Sequence, residues 1–85
     1  MGDQATVNPA DIDEELDATE WACPKPVIYA RKALDKMLSG KILHVVTSDS
    51  CSVKNFQSFC KQTGNELLDS YLEDGNYHYF LRKGQ

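Results

Sequence analysis

The run Trp21-Ala22-Cys23-Pro24-Lys25-Pro26-Val27 points most directly to chemistry, because it sets a thiol immediately before two closely spaced prolines. Beyond it, apolar residues recur at Val27, Ala30, Leu34 and Met37/Leu38, the period of a one-sided helix. The spacing predicts a helix over 24–38 with Cys23 as its N-cap, Pro24 at the first helical position and Pro26 at the third. Proline suits the first turn: its φ is already helical and its missing N–H would have had no partner there. Pro24 and Pro26 remove two of the donors that open a helix, which leaves the Lys25 amide as the main N–H within reach of the sulfur. Capping demand is therefore low, so the thiol is more than a substitute for the Ser or Asp that usually caps a helix. A thiolate at this end gains about 0.3–1 kcal/mol from the helix dipole. The positive charges of Lys25 and Arg31 act in the same sense. Such a moderately activated thiol can attack a sulfur atom and also leave it again, as reversible sulfur transfer requires.

The other reactive side chains are few. Cys51 falls at the start of a second helical pattern. If the first two strands are parallel neighbours, both helix starts lie on one edge of the sheet, and Cys51 approaches Cys23 closely enough for a disulfide or polysulfide link in some state. An ordinary exposed thiol at a helix start is the simpler expectation for it. Cys60 lies on the apolar side of the second helix with Phe56 and is expected as a buried core thiol. A metal set drawn from Cys23, Cys51, Cys60, His44 and His78 has none of the usual close-paired ligand spacing, so no metal and no cofactor are expected. Nor is there a second cysteine at Cys-x-x-Cys spacing from Cys23, and both histidines fall within strands. A lone nucleophile without a base implies that partner proteins supply the rest of the site.

These residues need a frame to hold them. Glu15 to Thr19 reads as a short strand, and Ser39-Gly40 stops the first helix, with Gly40 suited to a left-handed turn residue. Lys41 to Thr47 is a β-branched run of strand length. Ser48-Asp49-Ser50 offers capping oxygens to a second helix whose inward positions are Val53, Phe56, Phe59 and Cys60, ended by Gly64-Asn65. Glu66 to Leu72 and Tyr77 to Arg82 are strands joined through Asp74-Gly75, a strong hairpin signal. The order β-α-β-α-β-β predicts an α/β two-layer sandwich, with a mixed four-stranded sheet and two helices on one face. The first two strands are expected to be parallel and the last two antiparallel.

Eighty-five residues make one small domain without room for a large enclosed pocket. The chain is read as a mobile tail over 1–12, where Asn8-Pro9 and scattered acids give low hydrophobicity, followed by a single domain over 13–85. The net charge of −4 argues against direct nucleic-acid binding, which draws its affinity from Lys and Arg. No apolar run approaches the roughly 18 residues of a membrane span, and the acidic N-terminus is unlike a secretory signal. A cytoplasmic, monomeric protein is expected, and in that reducing compartment at least one of three cysteines stays free. Lys25, Arg31, Lys32 and Lys36 form a local cationic face on the first helix, suited to docking an acidic partner.

With Cys-Pro-Lys-Pro placed between a strand and a helix, residues 16–83 resemble the TusA/SirA family of small sulfur-carrier proteins. The resemblance rests on Leu16-Asp17-Ala18, Cys23-Pro24-x-Pro26 followed by Val27, Lys32 and Leu34, Gly40 before an apolar strand, and Asp49 in the next turn. Phe59-Cys60, Gly64 to Leu67 and Leu81-Arg82-Lys83 continue it. It implies a fold like the C-terminal domain of translation initiation factor 3, and Cys23 as a persulfide-carrying cysteine supported by Pro24, Lys25, Pro26 and Arg31. It also implies a sulfur donor (a cysteine desulfurase, a rhodanese or a DsrE-type protein) and an acceptor sulfurtransferase, in tRNA thiolation or in dissimilatory sulfur oxidation. Ser52-Val53-Lys54 and Lys61 to Leu67 look more like the sulfur-oxidation branch. Three residues depart from the family pattern: Glu20-Trp21 replaces a usual Gly-Leu, Ser50 a usual proline and Asn55 a usual acid. The first changes the loop leading to Cys23 and makes Trp21 a candidate docking residue. The alternative reading is a non-catalytic adaptor that binds a regulator or enzyme through the first helix, with Cys23 incidental.

Overall fold

The computed structural model describes residues 7–84. Its elements are β1 (Glu14–Ala18), α1 (Lys25–Asp35), β2 (Ile42–Thr47), α2 (Ser52–Thr63), β3 (Glu66–Glu73) and β4 (Asn76–Arg82). The sheet order is β1-β2-β4-β3. β1 and β2 are parallel, with Ala18 beside Thr47 at their C-terminal ends, while β2 with β4 and β4 with β3 are antiparallel. This is the expected mixed four-stranded α/β sandwich. β4 inserts beside β2, so the hairpin folds back to place its second strand at the centre of the sheet.

Alternation along the strands divides the sheet into two faces. Toward the helices point Ala18, Leu43, Val45, Tyr79 and Leu81, which pack with Ala30 and Leu34 of α1 and with Phe56, Phe59 and Cys60 of α2. Phe56 stacks on Tyr79 at 4.5 Å between ring centroids, joining α2 to the centre of the sheet. Thr47, Ser52 and Tyr79 are also buried here, and their hydroxyls form a chain: Thr47 Oγ1 to Ser52 Oγ at 2.8 Å, and Ser52 Oγ to Tyr79 Oη at 2.6 Å. Each polar atom thus has a partner, as burial demands.

The opposite face is smaller and partly aromatic. Val7, Ile42 and Phe80 form a second buried cluster with Ile12 and Leu68 against it. Of the expected tail, residues 1–6 lie outside those described. Residues 7–12 lie against the sheet, since Val7 and Ile12 find apolar surface there and Asn8 caps a single 3-10 turn over Pro9–Asp11. Phe80, His44, His78 and Tyr71 stack in that order on this face, with His44 Nε2 3.0 Å from His78 Nδ1. Across the hairpin Tyr71 is paired directly with His78.

The C-terminal end of α1 differs from expectation. α1 stops at Asp35 instead of Leu38, because Lys36 and Met37 donate to Ala33 and Leu34 in i→i−3 bonds that tighten the last turn. Lys83 Nζ also donates to the Leu34 carbonyl at 2.7 Å, satisfying an acceptor at that helix end. Gly64 ends α2 as predicted, with φ +81 and its N–H donated to Cys60 O. Asp74 (φ +54) and Gly75 (φ +81) make the two-residue hairpin turn.

Candidate functional site

Parallel pairing of β1 and β2 carries both following loops to one edge of the sheet, and each loop leads into a helix that starts there. Cys23 ends the first loop and Cys51 the second. The two are joined as a disulfide, with Cα atoms 6.5 Å apart, inside the usual range for such a bond. The structure thus realises the link between Cys23 and Cys51 in place of an isolated exposed thiol. Cys23 is half-buried and Cys51 exposed.

The loops are held by their own polar groups. Asp17 Oδ1 accepts from the Thr19 amide and hydroxyl at 3.0 and 2.7 Å, and these bonds lower the Asp17 pKa from its ordinary value, the hydroxyl contributing most. Ser48 Oγ donates to Thr19 O at 2.7 Å and so ties one loop to the other. Asp49 does more: Oδ2 accepts from the Cys23 amide at 3.2 Å and Oδ1 from the Cys51 amide at 3.1 Å. One carboxylate therefore holds the backbone of both cysteines. Sequence reasoning offered Asp49 only as a possible cap and as a matching turn residue. Its double role depends on two loops meeting, and the only local signal is an Asp three residues before a helix start.

The entrance to α1 is shifted by one residue from expectation. Pro24 is the N-cap (φ −99, ψ 16), Lys25 is the first helical residue, and the Lys25 amide donates to Ala22 O at 3.0 Å instead of facing the sulfur. Pro26 is buried, while Pro24 and Lys25 are exposed. α2 likewise begins after Cys51, with no side-chain cap bond from that residue. Cys23 Sγ, Cys51 Sγ and an Asp49 oxygen all lie within 4.8 Å of one another. The carboxylate charge beside the sulfurs offsets the field of the helix end, which the expectation of simple electrostatic activation left out.

Of the supporting cations, Lys25 stands beside the site. Arg31 does not: it lies some two turns along α1, about 10 Å of helix rise from the cap, and lines a groove with Asp35, Phe59, Gln62 and Lys83. Trp21 takes its place in the local surface. Its ring stacks on Tyr29 at 4.3 Å, and Lys32 Nζ sits 5.3 Å from the Tyr29 centroid. Ile28 is 45% exposed on the same helix. Trp21, Tyr29 and Lys32 therefore form an aromatic and cationic cluster that begins two residues before Cys23 and runs along α1.

The remaining candidates lie elsewhere. Cys60 is a buried free thiol whose pKa is pushed up to about 11 by desolvation, which keeps it protonated and inert. His44 and His78 occupy the sheet face opposite the helices, so they do not join the cysteines in a ligand set. With its sulfurs bonded to each other, the Cys23-Asp49-Cys51 group offers no thiolate to a metal. No helix among the described residues is long and apolar enough to cross a membrane.

Cys23 and Cys51 lie at one edge of a small α/β sandwich, and neither lines any of the three grooves described. The chain belongs to the sulfurtransferase TusA family, whose model matches residues 14–83. It is 50% identical over 74 residues to the sulfur carrier protein TusA of Allochromatium vinosum, covering 87% of this chain and 97% of that one. A putative sulfur carrier protein of Neisseria meningitidis serogroup A is 44% identical over 62 residues, 73% of this chain and 84% of its own. The crystal structure of a SirA-like protein from Desulfitobacterium hafniense superposes with a TM-score of 0.75 at 27% identity, covering 86% of this chain and all of that one.

Proposed function

We propose that this protein is a sulfur carrier that accepts sulfane sulfur as a persulfide on Cys23 and passes it to an acceptor protein. The observation that carries the reading is the placement of Cys23 within Cys-Pro-Lys-Pro at an open sheet edge, in a chain of the sulfurtransferase TusA family. In the first step the Cys23 thiolate attacks the terminal sulfur of a donor persulfide, and the donor leaves as its own thiolate. In the second an acceptor thiolate attacks the outer sulfur of Cys23–S–SH, takes it, and releases the Cys23 thiolate. Both steps require the Cys23–Cys51 bond to be reduced first.

Pro24 and Pro26 stiffen the backbone beside the sulfur, and Asp49 fixes the Cys23 amide. Trp21, Tyr29, Ile28 and Lys32, with Lys25 next to the sulfur, offer a docking surface suited to an acidic partner. The donor is a persulfide-bearing protein such as a cysteine desulfurase, a rhodanese or a DsrE-type protein. The acceptor is a further sulfurtransferase.

The test is uptake. Reduced protein mixed with a loaded cysteine desulfurase gains the mass of one sulfur on Cys23, and Cys23→Ser keeps its fold but gains none. A sulfur adduct that persists on Cys23→Ser, at Cys51 or Cys60, overturns the assignment.

A further inference from the structure

We propose that Cys51 is a resolving thiol, which attacks the inner sulfur of a Cys23 persulfide and discharges the cargo as hydrosulfide. The inference rests on the persulfide reading of Cys23 and adds a second fate for the sulfur it carries. Cys51 is joined directly to Cys23, and the two Cα atoms are 6.5 Å apart. The bonded pair is the product that this displacement forms.

A persulfide has two electrophilic sulfurs. Attack by an acceptor on the outer atom transfers sulfur and returns Cys23 as a thiolate. Attack on the inner atom, Cys23 Sγ, expels the outer atom instead. Written out, Cys51–S⁻ and Cys23–S–SH give the Cys23–Cys51 disulfide and HS⁻. The Cys51 electron pair forms the new bond to Cys23 Sγ, and the bond between Cys23 Sγ and the outer sulfur breaks with its pair leaving on the hydrosulfide. The sulfane sulfur is reduced by two electrons, and the two cysteines are oxidised to the disulfide. The chain is reset by an external dithiol, which becomes oxidised in turn.

The surroundings favour this step. Asp49 bonds to the amides of both cysteines, so their backbones stay adjacent when the sulfurs part. Cys51 is exposed and Cys23 half-buried, so the leaving hydrosulfide departs into solvent. The third thiol, Cys60, is buried in the core and does not compete. Cys51 thereby limits the lifetime of an unclaimed persulfide: prompt transfer to an acceptor outruns discharge, and delay loses the cargo as sulfide.

The experiment follows one loading event anaerobically. Fully reduced wild type and Cys51→Ser are treated with one equivalent of inorganic tetrasulfide, desalted and incubated without added thiol, while intact mass and released sulfide are followed. Wild type is expected to end two hydrogens lighter, with no added sulfur and one equivalent of sulfide released. Cys51→Ser is expected to keep one added sulfur and to show loss of sulfide release. Untreated wild type handled identically stays reduced. Wild type that keeps the added sulfur, or releases sulfide no faster than Cys51→Ser, overturns the resolving role and leaves the carrier reading standing. If Cys51→Ser gains no sulfur, while its melting curve and that of Cys51→Ala match reduced wild type, the carrier reading itself fails.

Discussion

Reduction of the Cys23–Cys51 bond is expected to lower stability substantially without disturbing the core. The sequence separation is 28 residues. In the chain-entropy treatment, closing a loop of that size removes roughly 12 cal/mol/K from the unfolded ensemble, or about 3.6 kcal/mol at 25 °C. Folded-state losses are small by comparison, because Cys51 is exposed and Cys23 half-buried, so serine in place of Cys51 opens no core cavity. For a domain of 85 residues, about 2–4 kcal/mol corresponds to a fall in Tm on the order of 10–25 °C. Circular-dichroism melts of wild type with and without a phosphine reductant measure the effect, and Cys51→Ser supplies the control. The variant should melt with reduced wild type and ignore the reductant. Wild type whose Tm moves by less than about 2 °C on full reduction, or Cys51→Ser that still responds to reductant, refutes the reasoning.

Three further outcomes are expected. Tyr79→Phe removes the buried hydroxyl bonded to Ser52 and should cost about 1–2 kcal/mol, read by urea denaturation; a change below about 0.3 kcal/mol shows that the hydroxyl chain contributes little. His44 is held below its ordinary pKa of 6.5, chiefly by desolvation and then by His78, with Glu15 opposing. The unfolded chain therefore binds the proton more readily. Stability is full above about pH 6.5, falls as the pH drops through 6.5 toward the lower folded value, and levels off below it. Urea midpoints across this range should show the decline, and His44→Gln should flatten it. Cys60, with its pKa raised to about 11, should resist iodoacetamide in native reduced protein at neutral pH while Cys23 and Cys51 react; peptide mapping that finds Cys60 labelled at a comparable rate contradicts its burial.

Much of the frame is legible because it is written locally. The β-branched run Ile42–Thr47, the one-sided spacing of Val27, Ala30 and Leu34, and Asp74-Gly75 each act within a few residues, and together they imply parallel β1 and β2. That pairing alone implies that Cys23 and Cys51 share one edge of the sheet. What local pattern cannot supply depends on meetings between distant segments. Asp49 serves two loops at once, and the chain Thr47-Ser52-Tyr79 joins residues from three elements whose hydroxyls look, singly, like ordinary polar positions. The cap shifted because Lys25 turns its amide back to Ala22, a loop-specific bond that overrides the usual preference for proline at the first helical position. Arg31 is close to Cys23 in sequence, yet helix rise and rotation carry it into another groove.

The buried hydroxyl chain bears on the cysteines from beneath. Ser52 opens α2 directly after Cys51, and its bonds to Thr47 and Tyr79 pin that first turn to the sheet. Cutting the sulfur bridge therefore frees two side chains while the backbones under them remain anchored. In the reduced protein Cys51 meets Cys23 at an effective concentration well above the roughly millimolar value of a flexible tether. Thiols in free solution, and partner proteins before they dock, compete against that figure. If Cys23 carries a persulfide as proposed, its capture by an acceptor becomes a race whose handicap is set by three hydroxyl groups that never touch sulfur.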